Sequence, residues 1–316
     1  MMVFSQVLRS SLFFALVLDT NAFLSHRNVP SPSIIFSPLS MTSSVLSETK
    51  QDIQSLKFQI LQMGAALDRG QSYNPTSGEF YAERMGKARE IVENIIAKSS
   101  NVPESLEELD GEWELVFTTV PHGIFRSSPF FLAIQEAYAT VGKPEKANLF
   151  FKLHELQTCS WGASKIGRVA QFIDSKKGML VSEFDTAIFS LTVIPILGWF
   201  KLLPTFGGCV VTVSKAVLGE DGKINMEVDY TTGKPVPGLQ GLSEAIWDSK
   251  VPVGYIWKLL PWNKGRPAEC SIKVKYVDED IRVMEDTDGE LFVYTRPVCP
   301  RSNYTDLELS DRLKST

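Results

Sequence analysis

The stretch SIKVKYVDEDIRVMEDTDGELFVYTR, residues 271–296, decides the fold predicted for this chain. Apolar and polar residues alternate over residues 272–276, which is the period-two pattern of a strand that buries one face. A second short run begins at Ile281, and Gly289 then supplies the positive φ that a two-residue hairpin loop requires. The β-branched and aromatic residues at 291–296 lead back as another strand. The chain is therefore predicted to end in an antiparallel meander.

A second stretch, DGEWELVFTT at residues 110–119, alternates in the same way and is the best pairing partner for that meander. Pairing between the first and the last strand closes a β-barrel. The Gly-Glu-Asp-Gly run at residues 219–222 predicts a hairpin turn between two further strands. We therefore predict a mainly β fold, an antiparallel β-barrel of about eight strands. The other candidate strands are residues 150–158, 165–173, 179–184, 208–218 and 224–230.

Two amphipathic α-helices are predicted ahead of the barrel. Apolar residues recur every three to four positions over residues 48–67 and again over residues 79–98. Ser47 is a candidate cap for the first helix, and Gly70 is a candidate end. The predicted segments are a signal peptide (1–22), a transit-peptide-like disordered segment (23–47), a helical pair (48–98), the barrel (106–298) and a C-terminal tail (299–316).

The composition excludes several classes of function. The net charge is −5, and an acidic chain without a basic run is a poor match for nucleic acid, whose binding depends on neutralising phosphates. Four cysteines stand far apart, and three histidines are too few for a histidine-rich centre, so we predict no metal and no cofactor. The sequence contains no nucleophile elbow, P-loop or dinucleotide-binding motif.

The densest charged group is Asp278, Glu279 and Asp280, which stand beside Arg282. Paired carboxylates can act as acid and base when burial separates their pKa values. Here they are consecutive in a predicted turn, so their side chains diverge, and a solvated turn with an ion pair to Arg282 is favoured. We therefore predict no catalytic residue, and an unrecognised enzyme acting on a lipid stays as an alternative.

Three apolar stretches do not follow the strand pattern: residues 121–134, 188–206 and 251–262. Pro195 and Pro204 argue against a regular membrane-spanning helix in the second of them. All three combine Trp or Phe with Pro or Gly, a composition typical of segments that insert at a lipid interface. Ordinary loop packing on a core is the other interpretation. The predicted membrane-docking residues are Phe130, Phe131, Trp199, Phe200, Trp257 and Trp262.

Over residues 52–298 the chain resembles the plastid lipid-associated proteins, also called plastid fibrillins. Asp68-Arg69-Gly70 is similar to an early Arg-Gly of that family. LDGEWELVFTT at 109–119 resembles its Leu-x-Gly-x-Trp-x-Leu-x-x-Thr-Thr stretch, and YVDEDIRV at 276–283 resembles its closing Tyr-Leu-Asp-Glu-Asp-Leu-Arg-Ile motif. The resemblance implies a lipocalin-like β-barrel that binds lipids or prenyl quinones in plastoglobules and thylakoids.

The N-terminal leader agrees with a plastid protein. Residues 12–18 form an apolar run that is too short to span a bilayer and fits the core of a signal peptide. Residues 20–47 are rich in serine and contain no acidic residue, as in organelle transit segments. The join at Ala22-Phe23 resembles the cleavage site of the two-part presequences of algae whose plastids lie inside extra membranes. A secretory signal followed by a disordered linker is the alternative.

The likeness to lipocalin-type barrels also assigns candidate ligand-binding residues. A Gly-x-Trp on the first strand lies at the closed end of such barrels, covered by an arginine of the last strand. Trp113 is therefore expected to be stacked by Arg282 or Arg296, and simple packing of Trp113 in the core is the alternative. An apolar interior with a few polar groups suits a quinone or an acyl chain. The predicted ligand-binding residues are Trp113, Tyr230, Tyr276, Arg282, Phe292, Tyr294 and Arg296.

The predicted function is that of a non-catalytic plastid protein that holds a hydrophobic lipid or prenyl quinone in its barrel. It would dock peripherally on plastoglobule or thylakoid surfaces through some of the three apolar stretches. Two of these stretches, residues 188–206 and 251–262, look longer than the usual connections of the family. The alternative is a scaffold that binds an enzyme of prenyl-lipid synthesis, with a barrel that is merely structural.

Overall fold

The fold of the chain is known from a computed structural model. It divides into two units, Met1–Ser55 and Leu56–Thr316, and helix α1, described below, begins in the first unit. The predicted signal peptide lies outside the described residues. The structure describes residues 43–72, 78–99, 101–121, 123–158, 164–188, 193–194, 200–201, 206–235, 249–259, 263, 265–301, 304 and 306–314.

Eight antiparallel strands form a closed ring. They are β1 (Gly111–Thr118), β2 (Ser164–Asp174), β3 (Met179–Ile188), β6 (Phe206–Leu218), β7 (Lys223–Lys234), β8 (Glu269–Val277), β9 (Ile281–Glu285) and β10 (Leu291–Thr295); β4 (Val193–Ile194) and β5 (Phe200–Lys201) form a separate short hairpin. Their order around the ring is β1-β10-β9-β8-β7-β6-β3-β2, and β2 pairs again with β1. Leu115 lies opposite Tyr294 in the β1–β10 pair, so the predicted closure is confirmed. The predicted fold class, mainly β with about eight strands and helices ahead of them, is confirmed as well.

The helices are α1 (Ser43–Ala66), α2 (Gly78–Lys98), α3 (Pro129–Thr140), α4 (Pro144–Thr158), α5 (Val253–Lys258) and α6 (Asp311–Lys314). Ser47 lies inside α1, so its predicted role as a cap is wrong. The strand predicted at residues 150–158 is also wrong, because these residues form the second half of α4. Ala147 and Phe151 are both buried four positions apart, which is the spacing of a helix and not of a strand. Among the described residues, no helix has both the length and the apolar character needed to cross a bilayer.

A β-bulge in β1 changes which face its side chains occupy. The β1–β10 register shifts between Leu115 and Phe117, so one extra residue faces the partner strand. Trp113 and Leu115 therefore point into the ring, whereas Phe117 packs on the outer face with Val293 of β10. Simple alternation would have placed all three β1 side chains on one face. Because of the bulge, the apolar side chains before it point into the ring, and Phe117 after it points outward.

Residues 56–66 of α1 and the whole of α2 cover that outer face. Ile60 of α1 and Val92 of α2 belong to one apolar cluster with Phe117 and the outward side chains of β8, β9 and β10. Gly64 lies so close to β1 that a Cβ at this position would stand 2.3 Å from the carbonyl oxygen of Val116. The close approach of helix and strand therefore requires a glycine at residue 64.

The predicted turns of the meander are present with one difference. The amide of Gly289 donates to the carbonyl of Asp286, and the amide of Asp286 donates to the carbonyl of Glu290. Three residues therefore form the loop between β9 and β10, and the prediction of a two-residue loop is wrong. Gly289 has a φ of +79°, which a three-residue hairpin uses at its last position.

The C-terminal tail covers the outer face of β3, β6 and β7. Tyr304 stacks on Phe172 of β2 with ring centroids 4.5 Å apart and 14° between the ring planes. Leu309 and Leu313 belong to the same apolar cluster as the outward valines of β6. The amide and hydroxyl groups of Ser310 both donate to the Asp229 carboxylate, at 2.6 and 2.7 Å. The tail therefore packs on the outside of the ring and is part of the folded protein.

Gly64→Ala should lower the free energy of unfolding by about 1–3 kcal/mol, because the new methyl group collides with the β1 backbone and forces the helix away. Gly86→Ala is the matched control in α2, where nothing lies within 4 Å of the added Cβ. It should stabilise the protein by up to about 1 kcal/mol through helix propensity alone. Urea unfolding measures both variants, and equal effects of the two would contradict the close packing of α1 on β1.

Candidate functional site

Trp113 contacts two arginines at the end of the ring interior where β1 begins. The guanidinium carbon of Arg282 lies 4.9 Å from the Trp113 ring centroid, and that of Arg296 lies 3.7 Å away. Trp113 and Arg282 are both 0% exposed. The indole N–H of Trp113 donates to the carbonyl of Leu109 at 2.8 Å. The predicted stacking is therefore present with both arginines and not with one alone.

A chain of hydrogen bonds connects Arg282 to two residues that the sequence analysis did not single out. Arg282 Nη2 donates to Gln171 Oε1 at 2.7 Å, and Gln171 Nε2 donates to the carbonyl of Ser127 at 3.0 Å. The Tyr294 hydroxyl donates to Ser127 Oγ at 2.7 Å, and the Tyr294 ring lies 4.8 Å from the Arg282 guanidinium carbon. Gln171 stands at an inward position of the strand predicted at residues 165–173, and this alternation was the sequence signal that could have identified it as an interior residue.

Arg282 is a buried cation with which no carboxylate of the described residues forms an ion pair. Its pKa is lowered to about 9, mainly by burial; Tyr294 raises it in part, and the nearby charge of Arg296 contributes to the lowering. Its Nε and Nη1 atoms have no hydrogen-bond partner within the described part of the chain. Burial also raises the pKa of Tyr294, to about 12, so the phenol stays protonated at neutral pH. The interior therefore holds a guanidinium with unused donors next to two aromatic faces.

The predicted ion pair between Arg282 and the 278–280 turn is wrong. Strand alternation turns Arg282 of β9 into the ring, whereas the turn faces outward. The carboxylates of Asp278 and Asp280 instead contact Lys57 Nζ of α1, at 2.5 and 3.2 Å. Lys57 therefore balances the carboxylates of the turn, and none of these carboxylates pairs with the buried Arg282.

The rest of the interior is filled by the chain that follows β1. We call residues 124–140, which comprise a loop and α3, the plug segment. Ile124 and Phe131 are buried in the same apolar cluster as Trp113 and the inward residues of β7 and β8. The amide and hydroxyl of Ser271 donate to Glu136 Oε1 at 2.7 and 2.6 Å, and Cys270 Sγ donates to the carbonyl of Pro129 at 3.3 Å. The plug segment is thereby fastened to the start of β8.

Three of the predicted docking residues belong to this packing. Phe131, only 4% exposed, packs against Phe125 at 4.8 Å between ring centroids. Phe130 is half-buried and meets the buried Trp257 edge-on at 6.2 Å. The structure thus places these rings on the core, and their role in docking stays a prediction. Trp199 and Trp262 lie outside the described residues, as does the side chain of Phe200.

Tyr230 and Tyr276 are not brought to the interior cluster. A bulge between Val274 and Tyr276 turns Tyr276 to the outer face under the helices, where its hydroxyl donates to Asp278. A bulge in the β6–β7 pair likewise turns Tyr230 outward, where its hydroxyl donates to the carbonyl of Glu308 at 3.0 Å. Five of the seven predicted ligand-binding residues therefore lie together. They are Trp113, Arg282, Phe292, Tyr294 and Arg296.

A surface cleft of about 490 Å³ lies between the C-terminal tail and α5. Its lining includes Lys250, whose ammonium group lies 4.8 Å from the Tyr230 ring centroid, and Arg312, which donates to Glu227 at 2.7 Å. Charged groups of this cleft thus already have partners on the protein, in contrast to the buried arginine.

The described residues contain no group of three or more His, Cys, Asp or Glu side chains that could hold a metal ion. Burial raises the pKa of the Cys209 and Cys270 thiols, so both stay protonated. Neither thiol is therefore placed to act as a nucleophile.

Comparison with protein families gives a match that covers most of the chain. The family model PAP_fibrillin matches residues 54–295, which is more than half of the chain and includes β1 through β10. No curated protein and no solved structure matches the chain.

The low pKa of Arg282 should appear in the pH dependence of stability. A base whose pKa is lower in the folded state than in the unfolded state binds fewer protons when folded, so stability rises with pH above the folded pKa. Relative to Arg282→Gln, the wild-type free energy of unfolding should increase by about 1 kcal/mol between about pH 8 and about pH 10. Urea unfolding of both proteins measures this difference, and parallel pH profiles would contradict the lowered pKa of Arg282.

Proposed function

Because the chain belongs to the plastid lipid-associated protein (fibrillin) family, we propose that it is a non-catalytic protein that binds a hydrophobic lipid or prenyl quinone inside its ring of strands. The closed ring is the observation that carries this proposal. An eight-stranded ring is just wide enough to enclose one small ligand. Its wall is apolar, and polar donors converge at one place inside it, which is the usual composition of a site for an amphiphilic ligand.

Binding inside the ring requires the plug segment to leave, because its side chains fill the interior. Several of its polar atoms are poorly satisfied there. Arg126 Nε, Ser128 Oγ and Gln135 Nε2 are buried without a hydrogen-bond partner among the described residues. Each such atom costs on the order of 1–3 kcal/mol relative to water. We therefore propose that the plug segment and the lipid compete for the same interior.

The filled interior also favours a second candidate function. A protein whose ring is occupied by its own chain can serve as a scaffold that binds an enzyme of prenyl-lipid synthesis. In that case the plug segment is a permanent part of the core, and the outer surfaces carry the function.

For docking on plastoglobule or thylakoid surfaces we propose the outward face of α5 and the residue that follows it. Tyr255 is 59% exposed and Leu259 is 65% exposed, whereas Trp257 between them is buried. Lys258 lies next to these apolar groups and supplies a cation that can remain in the headgroup region. An apolar pair with an adjacent lysine is typical of a peripheral contact with a lipid surface.

We further propose that the protein works in the plastid and reaches it by the two-part leader. The family assignment supports this location. The leader itself is a sequence-based prediction, and residues 1–42 lie outside the described part of the chain.

Lipid extraction and mass spectrometry of the purified full chain test the carrier function. We expect an enriched lipid or prenyl quinone in an amount comparable to that of the protein. Absence of any enriched lipid would favour the scaffold.

Glu136→Ala tests the competition between plug segment and lipid. Loss of the Glu136 carboxylate removes both hydrogen bonds from Ser271, so added short-chain plastoquinone should bind several-fold faster, as followed by quenching of tryptophan fluorescence. Glu145→Ala, at an exposed position of α4, is the matched control and should bind at the wild-type rate. Equal rates for both variants would contradict displacement of the plug segment.

Flotation with phosphatidylcholine vesicles, with and without phosphatidylglycerol, tests the docking surface. The double variant Tyr255→Ser, Leu259→Ser should lose most of its vesicle binding because it removes the exposed apolar pair. Val217→Ser, at another exposed apolar position, should float as the wild type does. If the double variant floats normally and the variant Trp199→Ser, Phe200→Ser does not, the docking surface is the 188–206 stretch instead.

A further inference from the structure

Arg282 differs from the other strongly buried cations that the structure describes. Lys57 pairs with Asp278, and the side chains of Arg126 and Arg168, at most 13% exposed, pair with Asp286 and with Glu112 respectively. Arg282 is more deeply buried than these three, and among the described residues no carboxylate forms an ion pair with it. A buried charge without a counter-ion is strongly unfavourable unless something supplies the opposite charge.

The inner wall of the ring carries further unused polar atoms. Ser182 of β3 lies opposite Gln171, whose Oε1 accepts from Arg282, and Ser214 of β6 lies opposite Leu180. Both serine hydroxyls are buried on the inner face, and neither has a hydrogen-bond partner within the described ranges. Together with Arg282 Nε and Nη1, they are donors on three strands of one interior. This arrangement is suited to an acceptor group that comes from outside the chain.

We propose that Arg282 binds the carboxylate of a single-chain amphiphile, a free fatty acid, held inside the ring. The inference rests on the proposed lipid-binding function and specifies the class of ligand. The guanidinium offers the Nε and Nη1 hydrogens to the carboxylate, while Nη2 stays bound to Gln171. The acyl chain lies along the inner side chains Phe292 and Met284, in the space that the plug segment otherwise fills.

The charge at the site selects a monoanion. Arg296 is partly exposed and donates to the carbonyl of Asp110, so Arg282 is the one fully buried guanidinium at the site. It balances one carboxylate, whereas a phosphate monoester would bring close to two negative charges and leave one of them uncompensated in the interior. A neutral quinone or alcohol accepts hydrogen bonds but leaves the charge of Arg282 unbalanced. Arg282 is the second residue of β9 and lies at the ring end where β1 begins. A lipid that enters from the opposite end therefore reaches Arg282 with its head group first. The plug segment is fastened at the opposite end, at the start of β8, and its Ser127 also accepts from Gln171 and Tyr294 beside Arg282, so these two bonds must break when the lipid enters.

Binding of palmitate, hexadecanol and hexadecyl phosphate to the full chain tests the proposal by titration calorimetry. Palmitate should bind about tenfold or more tightly than hexadecanol, because hydrogen bonds to a charged group are worth about 1.5–3 kcal/mol. Arg282→Gln should abolish this preference. The matched control is Arg89→Gln, which removes the same charge from the outer helix α2, where Arg89 pairs with Glu290, and should keep the preference.

Gln171→Glu provides a test that does not depend on losing the arginine. The new carboxylate lies where Gln171 Oε1 now accepts from Arg282, so it neutralises the guanidinium from within. This variant should fold and should bind palmitate no better than hexadecanol. It therefore decides the question even if Arg282→Gln fails to fold.

Three results would overturn the proposal. Equal binding of palmitate and hexadecanol by the wild type, while short-chain plastoquinone still binds, would refute the carboxylate site and leave the proposed lipid-binding function standing. Hexadecyl phosphate binding as tightly as palmitate would refute the choice of a monoanion. Failure of all these probes and of plastoquinone to bind would remove the lipid-binding function together with the inference.

Discussion

The pairing of β1 with β10 is the constraint on which the rest of the structure depends. It joins strands that are far apart in the sequence and turns an open meander into a ring without edges. Closure brings Trp113 of the first strand against Arg282 and Arg296 from the end of the chain. The same pairing contains the bulge after Leu115, which reserves the inner half of β1 for the ring and gives its outer half to the two helices. Core, helices and candidate site thus share one strand pair.

The alternation of apolar residues and the turn residues were sufficient to predict the first and last strands of the ring. The alternation around Trp113 and the glycine at residue 289 identified the closing strands and their hairpin from local sequence alone. Bulges were not predictable, because one extra residue in a strand leaves the apolar pattern intact while reversing the face that follows it. That reversal is why Tyr276 and Tyr230 lie outside the ring. The α4 segment at residues 150–158 was misassigned because a short apolar run does not distinguish a helix from a strand.

The partners of Arg282 were beyond reach for a different reason. Ser127 and Gln171 are distant in sequence from Arg282, and only closure of the ring places them in one hydrogen-bond chain. After the same closure no carboxylate among the described residues forms an ion pair with Arg282, although three acidic residues lie two to four positions before it in the sequence. A charged residue inside an apolar ring is costly for a protein that only needs a stable core. In a chain that belongs to a lipid-associated family, such a charge supports the proposal of an interior that holds a polar head group as well as an acyl chain.

We propose that the plug segment and a lipid occupy the interior of the ring in turn. Hydrogen exchange of the full chain, with and without saturating palmitate, tests it most directly. Amides of α3 should exchange faster when lipid is bound, while those of β1 and β10 should remain equally protected, because the ring stays closed as the plug segment leaves. Unchanged protection of α3 in the lipid-bound protein would contradict the claim and place the lipid outside the ring.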